Sequence, residues 1–289
     1  MPTTRLNGVS IHYEATGSGP PLIFSHEFAG DARSWKPQVE YFAGRFQCIT
    51  WNYRGFPPSE VPEDASSYSQ DVLVEDLRAL MDHLGIEQAH LAGLSMGGSV
   101  TLHFALACPE RCLSAVIAGA GSGSVAREQF EQDVDRIVDV LGTRPMAEFA
   151  EIYSRSPTRL PFKEKDLEGW NEFRQQLAGH SARGSALTMQ EVQRKRPTIF
   201  SLEPRLAALE IPVLIIVGDE DEPCIEPGVF MRRTIPRSGL LIIPQSGHTI
   251  NLEEPELFNR AIDQFLEKVE HGTWRYRDQV SPSMMPPGE

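Results

Sequence analysis

Cysteine is scarce in this chain: four in 289 residues, Cys48, Cys108, Cys112 and Cys224. Four so scattered build no disulfide framework and no paired Cys-x-x-Cys metal knuckle. Positive charge is in deficit as well, 27 Lys and Arg against 40 Asp and Glu for a net charge of −13. Such a surface repels phosphate backbones and anionic bilayers, so neither nucleic acid nor membrane is an expected partner. No apolar run is long enough to span a bilayer. The stretch Met1-Pro2-Thr3-Thr4-Arg5 lacks the basic, apolar and small-residue pattern of a secretory leader, and a reducing cytoplasm is the expected location. His-Glu-x-x-His spacing is absent too: His12, His83, His90, His180 and His271 are scattered, and His26-Glu27 has no second histidine. Neither a metal nor a cofactor is expected. The run Gly119-Ala120-Gly121-Ser122-Gly123-Ser124 lacks full Gly-x-Gly-x-x-Gly spacing and reads as a flexible exit from the core rather than a phosphate loop. There is no internal repeat.

What is present is a rhythm of apolar strands and amphipathic helices. Arg5 to Ala15 predicts two strands around Asn7-Gly8, a strong hairpin dipeptide. Leu22 to Ser25, Phe46 to Trp51, Gln88 to Ala92, Leu113 to Ile117, Val213 to Val217 and Leu240 to Ile243 are short runs suited to buried strands. Between them, helical spacing marks Ser34 to Ala43, Ser69 to Leu84 with Gly85 as its stop, and Glu254 to Val269. From Val125 to Glu203 the pattern turns wholly helical, over Ala126 to Leu141, Met146 to Ser154, Lys163 to Ala178 and Ala182 to Arg194. The expected fold class is therefore α/β, a mostly parallel central sheet with helices on both faces and an inserted helical cap. The expected division is a core of residues 1–124 and 204–272, a cap of 125–203, and a disordered tail of 273–289.

In parallel sheets ligands bind beyond the carboxyl ends of the strands, so reactive side chains at those ends matter most. Gly93-Leu94-Ser95-Met96-Gly97-Gly98 sits between a predicted strand and a predicted helix, which is the setting of a nucleophile elbow. Asp219 and Asp221 follow the Val213 strand, and His248 follows the last one. A serine hydroxyl attacks only when an imidazole takes its proton, and the imidazole needs a carboxylate to hold its tautomer and charge. Ser95, Asp221 and His248 are the candidates for these three roles. Asp221 is preferred over Asp219 because a carboxylate needs some loop to turn back toward the histidine. Asp219, against Gly218, suits a turn cap. His103, on the helix behind the elbow, and His26 read as packed or loop-shaping residues.

These strings resemble the serine-nucleophile esterase and lactonase branch of the α/β-hydrolase superfamily, with its enol-lactonase-like and carboxylesterase-like members. The likeness covers the Leu22 to His26 strand and loop, Arg54-Gly55, Gly93 to Gly98, Gly218 to Asp221 and Ser246-Gly247-His248. It implies Ser95 as nucleophile, His248 as general base and acid, Asp221 as orienting acid, and a helical cap after the sixth strand. It also implies two oxyanion donors, the backbone N–H groups of Met96 and, in the loop after the third strand, Phe28. That loop departs from the family pattern, since Glu27 stands where glycine is usual; either it turns away, toward a cation such as Arg54, or it selects uncharged or cationic substrates. Asn52 and Pro57 also depart, from Asp and Gly.

The implied partner is a small-molecule ester or lactone, cleaved through an acyl-enzyme, with a homodimer admitted as the assembly. The elbow is shared by enol-lactonases, carboxylesterases, cofactor-free perhydrolases and C–C bond hydrolases, and so does not choose among them. A ligand-binding receptor with a slow triad is the non-enzyme alternative. Aspartate-nucleophile relatives are disfavoured by Ser95. Ala29, Gly30, Trp35, Phe149, Tyr153, Trp170, Phe173 and Met189 are candidates to line a pocket, although each equally suits plain core.

Overall fold

Alternation of apolar side chains along each strand sends successive residues to opposite faces of a sheet, and both faces here are buried. The computed structural model describes residues 3–276. Among them, eight strands form one sheet: β1 (Thr3–Leu6), β2 (Val9–Thr16), β3 (Pro21–Ser25), β4 (Gln47–Trp51), β5 (Ala89–Leu94), β6 (Cys112–Ala118), β7 (Val213–Gly218) and β8 (Ser238–Ile243). The order across the sheet is β1-β2-β4-β3-β5-β6-β7-β8. β1 and β2 form the expected hairpin, with Asn7 and Gly8 both at positive φ, and β2 runs antiparallel to β4. Every pairing from β4 onward is parallel.

The connecting helices are α1 (Lys36–Phe42), α2 (Gln70–His83) and α3 (Met96–Ala107). Ser69 caps α2 by accepting from the Val72 N–H at 3.1 Å, and Gly85 follows it at positive φ. Between β6 and β7 lie α4 (Arg127–Thr143), α5 (Met146–Tyr153), α6 (Leu160–Lys165), α7 (Leu167–Ala178), α8 (Ala182–Leu187), a π-helical turn over Thr188–Gln193, and α9 (Glu203–Ala207). β7 leads to α10 (Glu222–Thr234), and β8 to α11 (Ile250–Glu253) and α12 (Pro255–Glu270).

Two cores result. Ile23, Leu91, Ile117 and Ile215 point to one face, where Leu77 and Leu80 of α2 and Val100 and Phe104 of α3 cover them. Leu22, Phe24, Val116 and Ile216 point to the other, beneath Phe42 of α1 and Phe258, Ile262 and Phe265 of α12. α3 is buried throughout Met96 to Ala105 and so shows no polar stripe.

Several elements differ from the sequence reading, among them the short α9 and α11, which no expected helix covers. The helix expected over Lys163 to Ala178 breaks at Asp166, whose carboxylate accepts from the Gly169 N–H at 2.9 Å and starts α7 afresh. Ala182 to Arg194 passes from α- to π-helical turns after Leu187. α10 has no counterpart in the reading, because Pro223 and Pro227 mimic a loop; Pro223 falls in the first turn, where its missing N–H costs nothing. The order also runs past residue 272. Within the segment expected to be disordered, Trp274 packs edge-on against Phe265 and its indole N–H donates to the Arg237 carbonyl at 3.0 Å; residues 277–289 lie outside the described residues.

Candidate active site

β5 carries the chain to the carboxyl edge of the sheet and α3 turns it sharply back, leaving Ser95 at φ 57° and ψ −111°. A side chain rarely adopts that conformation, and the surroundings must hold it there. The Ser95 N–H donates to the Ala118 carbonyl at the end of β6 at 2.8 Å. α3 packs so tightly on the loop after β3 that a Cβ at Gly97 would sit 1.9 Å from the Ser25 carbonyl oxygen.

The structure brings the three candidates together. His248 Nε2 lies 2.8 Å from Ser95 Oγ, and its Nδ1 lies 2.8 Å from Asp221 Oδ2. All three are buried. Asp219 takes no part: its Oδ1 accepts from the Ser246 N–H at 3.2 Å and ties the loop after β7 to the loop after β8. The His248 loop is held on both sides. Glu253 accepts from the N–H groups of Gly247 and Thr249 at 2.7 and 2.9 Å, and the His248 N–H donates to the Thr158 carbonyl at 2.7 Å. Burial disfavours a charged imidazole, but the charge and hydrogen bond of Asp221 outweigh it and raise the His248 pKa above its ordinary value.

Met96 is the first residue of α3, so helix geometry leaves its N–H without an intrahelical acceptor, at the positive end of the dipole. Phe28 is buried in the loop after β3, the strand paired with β5, and its ring packs against Phe56 and Tyr153. His26 shapes this loop: Nδ1 donates to the Glu27 carbonyl at 2.7 Å, and Nε2 accepts from the Tyr53 N–H at 3.3 Å. Burial lowers its pKa to about 4, so it stays neutral.

Glu27 does not turn to Arg54. Arg54 is committed to Asp76 through a two-pronged buried pair at 2.7 Å on each arm. Glu27 instead forms a buried two-pronged pair with Arg159, which also donates to Thr249 Oγ1 at 2.8 Å. Burial works to protonate Glu27, but the charge and hydrogen bonds of Arg159 hold its carboxyl below the usual range. Arg159 lies 132 residues from Glu27 in the chain, and no local spacing signals the contact.

A cavity of about 650 Å³ opens on Ser95 and His248. Of the aromatic and apolar candidates, Tyr153 and Met189 line it, whereas Phe149, Trp170 and Phe173 are core and Trp35 belongs to the opposite face. Asp221, His248 and Cys224 place possible metal-ligand atoms within 4.8 Å of one another. Burial raises the Cys224 thiol far above its ordinary pKa, and its Sγ donates to the Gly119 carbonyl at 3.2 Å.

A sheet that presents hydroxyl, carboxylate and imidazole from three strand ends in that chain order is the working frame of a hydrolase, an enzyme. The chain belongs to the α/β-hydrolase fold family, whose model matches residues 20–255. It is 29% identical to 3-oxoadipate enol-lactonase 2 of Acinetobacter baylyi over 92% of this chain and 96% of that protein. It is 27% identical to a carboxylesterase of Bacillus subtilis over 91% of this chain and 86% of that one. Among solved structures it resembles a thermophilic esterase from Thermogutta terrifontis, malate bound, with a TM-score of 0.79 and 29% identity over 92% of this chain and 97% of that chain. Among the described residues no helix is long and apolar enough to cross a membrane.

Proposed function

We propose that the protein is a serine hydrolase that cleaves a small or medium carboxylic ester or lactone through an acyl-enzyme. The observation that carries this reading is the continuous hydrogen-bonded chain Ser95–His248–Asp221, with 2.8 Å at each link, opening on one cavity. His248 takes the Ser95 proton as Oγ attacks the carbonyl carbon, Asp221 balances the imidazolium, and the N–H groups of Met96 and Phe28 receive the oxyanion. Collapse expels the alcohol, which takes the proton from His248. Water, deprotonated by the same imidazole, then releases the acid and restores Ser95. Residues 125–203 act as a cap, with Tyr153, Arg159 and Met189 reaching the cavity wall. Similarity to a lactonase and two esterases supports the substrate class.

The test is labelling with an organophosphate together with p-nitrophenyl acetate kinetics. A single adduct on Ser95 with a burst and steady turnover is expected. An adduct without turnover would favour the receptor alternative.

A further inference from the structure

Three arginines are buried among the described residues: Arg54, Arg159 and Arg196. The first two face carboxylates, Asp76 and Glu27. Arg196 does not. Its guanidinium donates through Nη2 to the Ser122 carbonyl at 2.7 Å and through Nη1 to Gln193 Oε1, and its Cζ lies 5.8 Å from the centre of the Phe130 ring. All three contacts are electrically neutral, and the two bonds use two of five N–H donors. No ion pair compensates it among the described residues. Burial, reinforced by Arg127, lowers its pKa only to about 10, so it remains a cation at neutral pH.

A buried, uncompensated charge is costly, and folds rarely keep one without a use. Arg196 is also in the right place, because it lines the same cavity as Ser95 and His248. The apolar wall of that cavity, including Val125, Phe130, Val134, Ile137 and Met189, suits a hydrocarbon segment. Of its acidic liners, buried Asp221 is paired with His248, and Asp133, Glu222 and Glu226 are exposed, where solvent and salt screen them. Glu27 adds no net charge, being paired with Arg159.

We infer that Arg196 binds a substrate carboxylate, so that the enzyme's substrate is an anionic ester or lactone: a half-ester of a dicarboxylic acid, or a lactone bearing a free carboxylate. This rests on the hydrolytic reading above and specifies its substrate. It also reverses the selectivity that an unpaired Glu27 would impose.

The test compares methyl half-esters of the malonate to adipate series with neutral methyl esters of matched chain length, followed by pH-stat. Wild type is expected to favour at least one half-ester in kcat/KM. In Arg196→Gln the ratio of anionic to neutral kcat/KM should fall about ten- to a hundredfold, the worth of a charged hydrogen-bonded contact, with the loss carried by KM. Arg196→Lys should restore part of it. The free dicarboxylate should inhibit wild type competitively, and Arg196→Gln more weakly. Equal or better use of neutral esters by wild type overturns the inference whatever the variants do, as does an unchanged ratio in folded Arg196→Gln. Absence of turnover on every ester overturns the hydrolytic reading, and this inference with it.

Discussion

In the proposed mechanism Ser95, His248 and Asp221, linked by hydrogen bonds of 2.8 Å, act as a unit, so removing any one should remove nearly all of the catalysis the unit supplies. Ser95→Ala and His248→Ala are each expected to lower kcat by about 10⁴- to 10⁶-fold in p-nitrophenyl ester assays. Asp221→Asn should cost about 10⁴-fold by stabilising the wrong imidazole tautomer. Asp219→Asn should cost far less, since the Asp219 carboxylate accepts from the Ser246 N–H and not from His248. The opposite ranking would remove Asp221 from its role.

The pH profile follows from His248. Only neutral imidazole is a base, and its pKa is raised in the fold. Activity should therefore climb with pH through a midpoint above the ordinary value of about 6.5, and a measured midpoint at or below 6.5 would contradict the Asp221 contact. The three residues were legible as local strings at strand ends. The upward shift was not, because it depends on a carboxylate 27 residues away in the chain coming within 2.8 Å and outweighing burial, which acts in the opposite direction.

At the scale of elements, the β5–α3 turn and the loop after β3 form one rigid unit. A methyl group at Gly97 would meet backbone, the carbonyl oxygens of Ser25 at 1.9 Å and His26 at 2.8 Å, with no flexible side chain to yield. Gly97→Ala should lose about 1–3 kcal/mol or more in denaturant unfolding and should depress kcat, since the shift displaces the N–H of Met96 relative to Phe28. Gly44→Ala, where the added carbon meets nothing within 4 Å, is the control and should stay within about 0.5 kcal/mol. Period-2 and period-3.6 patterns made most elements readable. α10 escaped because its prolines obscure the pattern, and the Asp166 break escaped because a cap residue inside a continuous apolar periodicity looks like one more solvent-facing position.

Across the whole molecule, the Glu27–Arg159 pair ties the loop after β3 to the helical segment between β6 and β7, and Arg159 also holds Thr249, the residue after His248. Removing one partner strands a buried charge. Arg159→Met should destabilise by about 3–5 kcal/mol in urea unfolding, whereas the double variant Glu27→Gln, Arg159→Met should recover part of that loss. Glu27 has a lower pKa folded than unfolded, so its contribution is present above about pH 4.3 and fades as pH falls below that. Glu27→Gln should accordingly flatten the stability loss of wild type in acid, measured by unfolding at pH 3 to 6.

The sequence by itself determined the alternation of strands and helices, the strand ends at which chemistry is possible, and the chain order of serine, aspartate and histidine. Those are local properties, written in side-chain periodicity and in the turn that follows each strand. Only the tertiary structure decided which charges meet. It paired Glu27 with Arg159 and Arg54 with Asp76, and left Arg196 in the cavity with neutral neighbours. Ion pairing inside a fold depends on which groups burial forces into contact and at what desolvation cost, and distance along the chain carries no record of either.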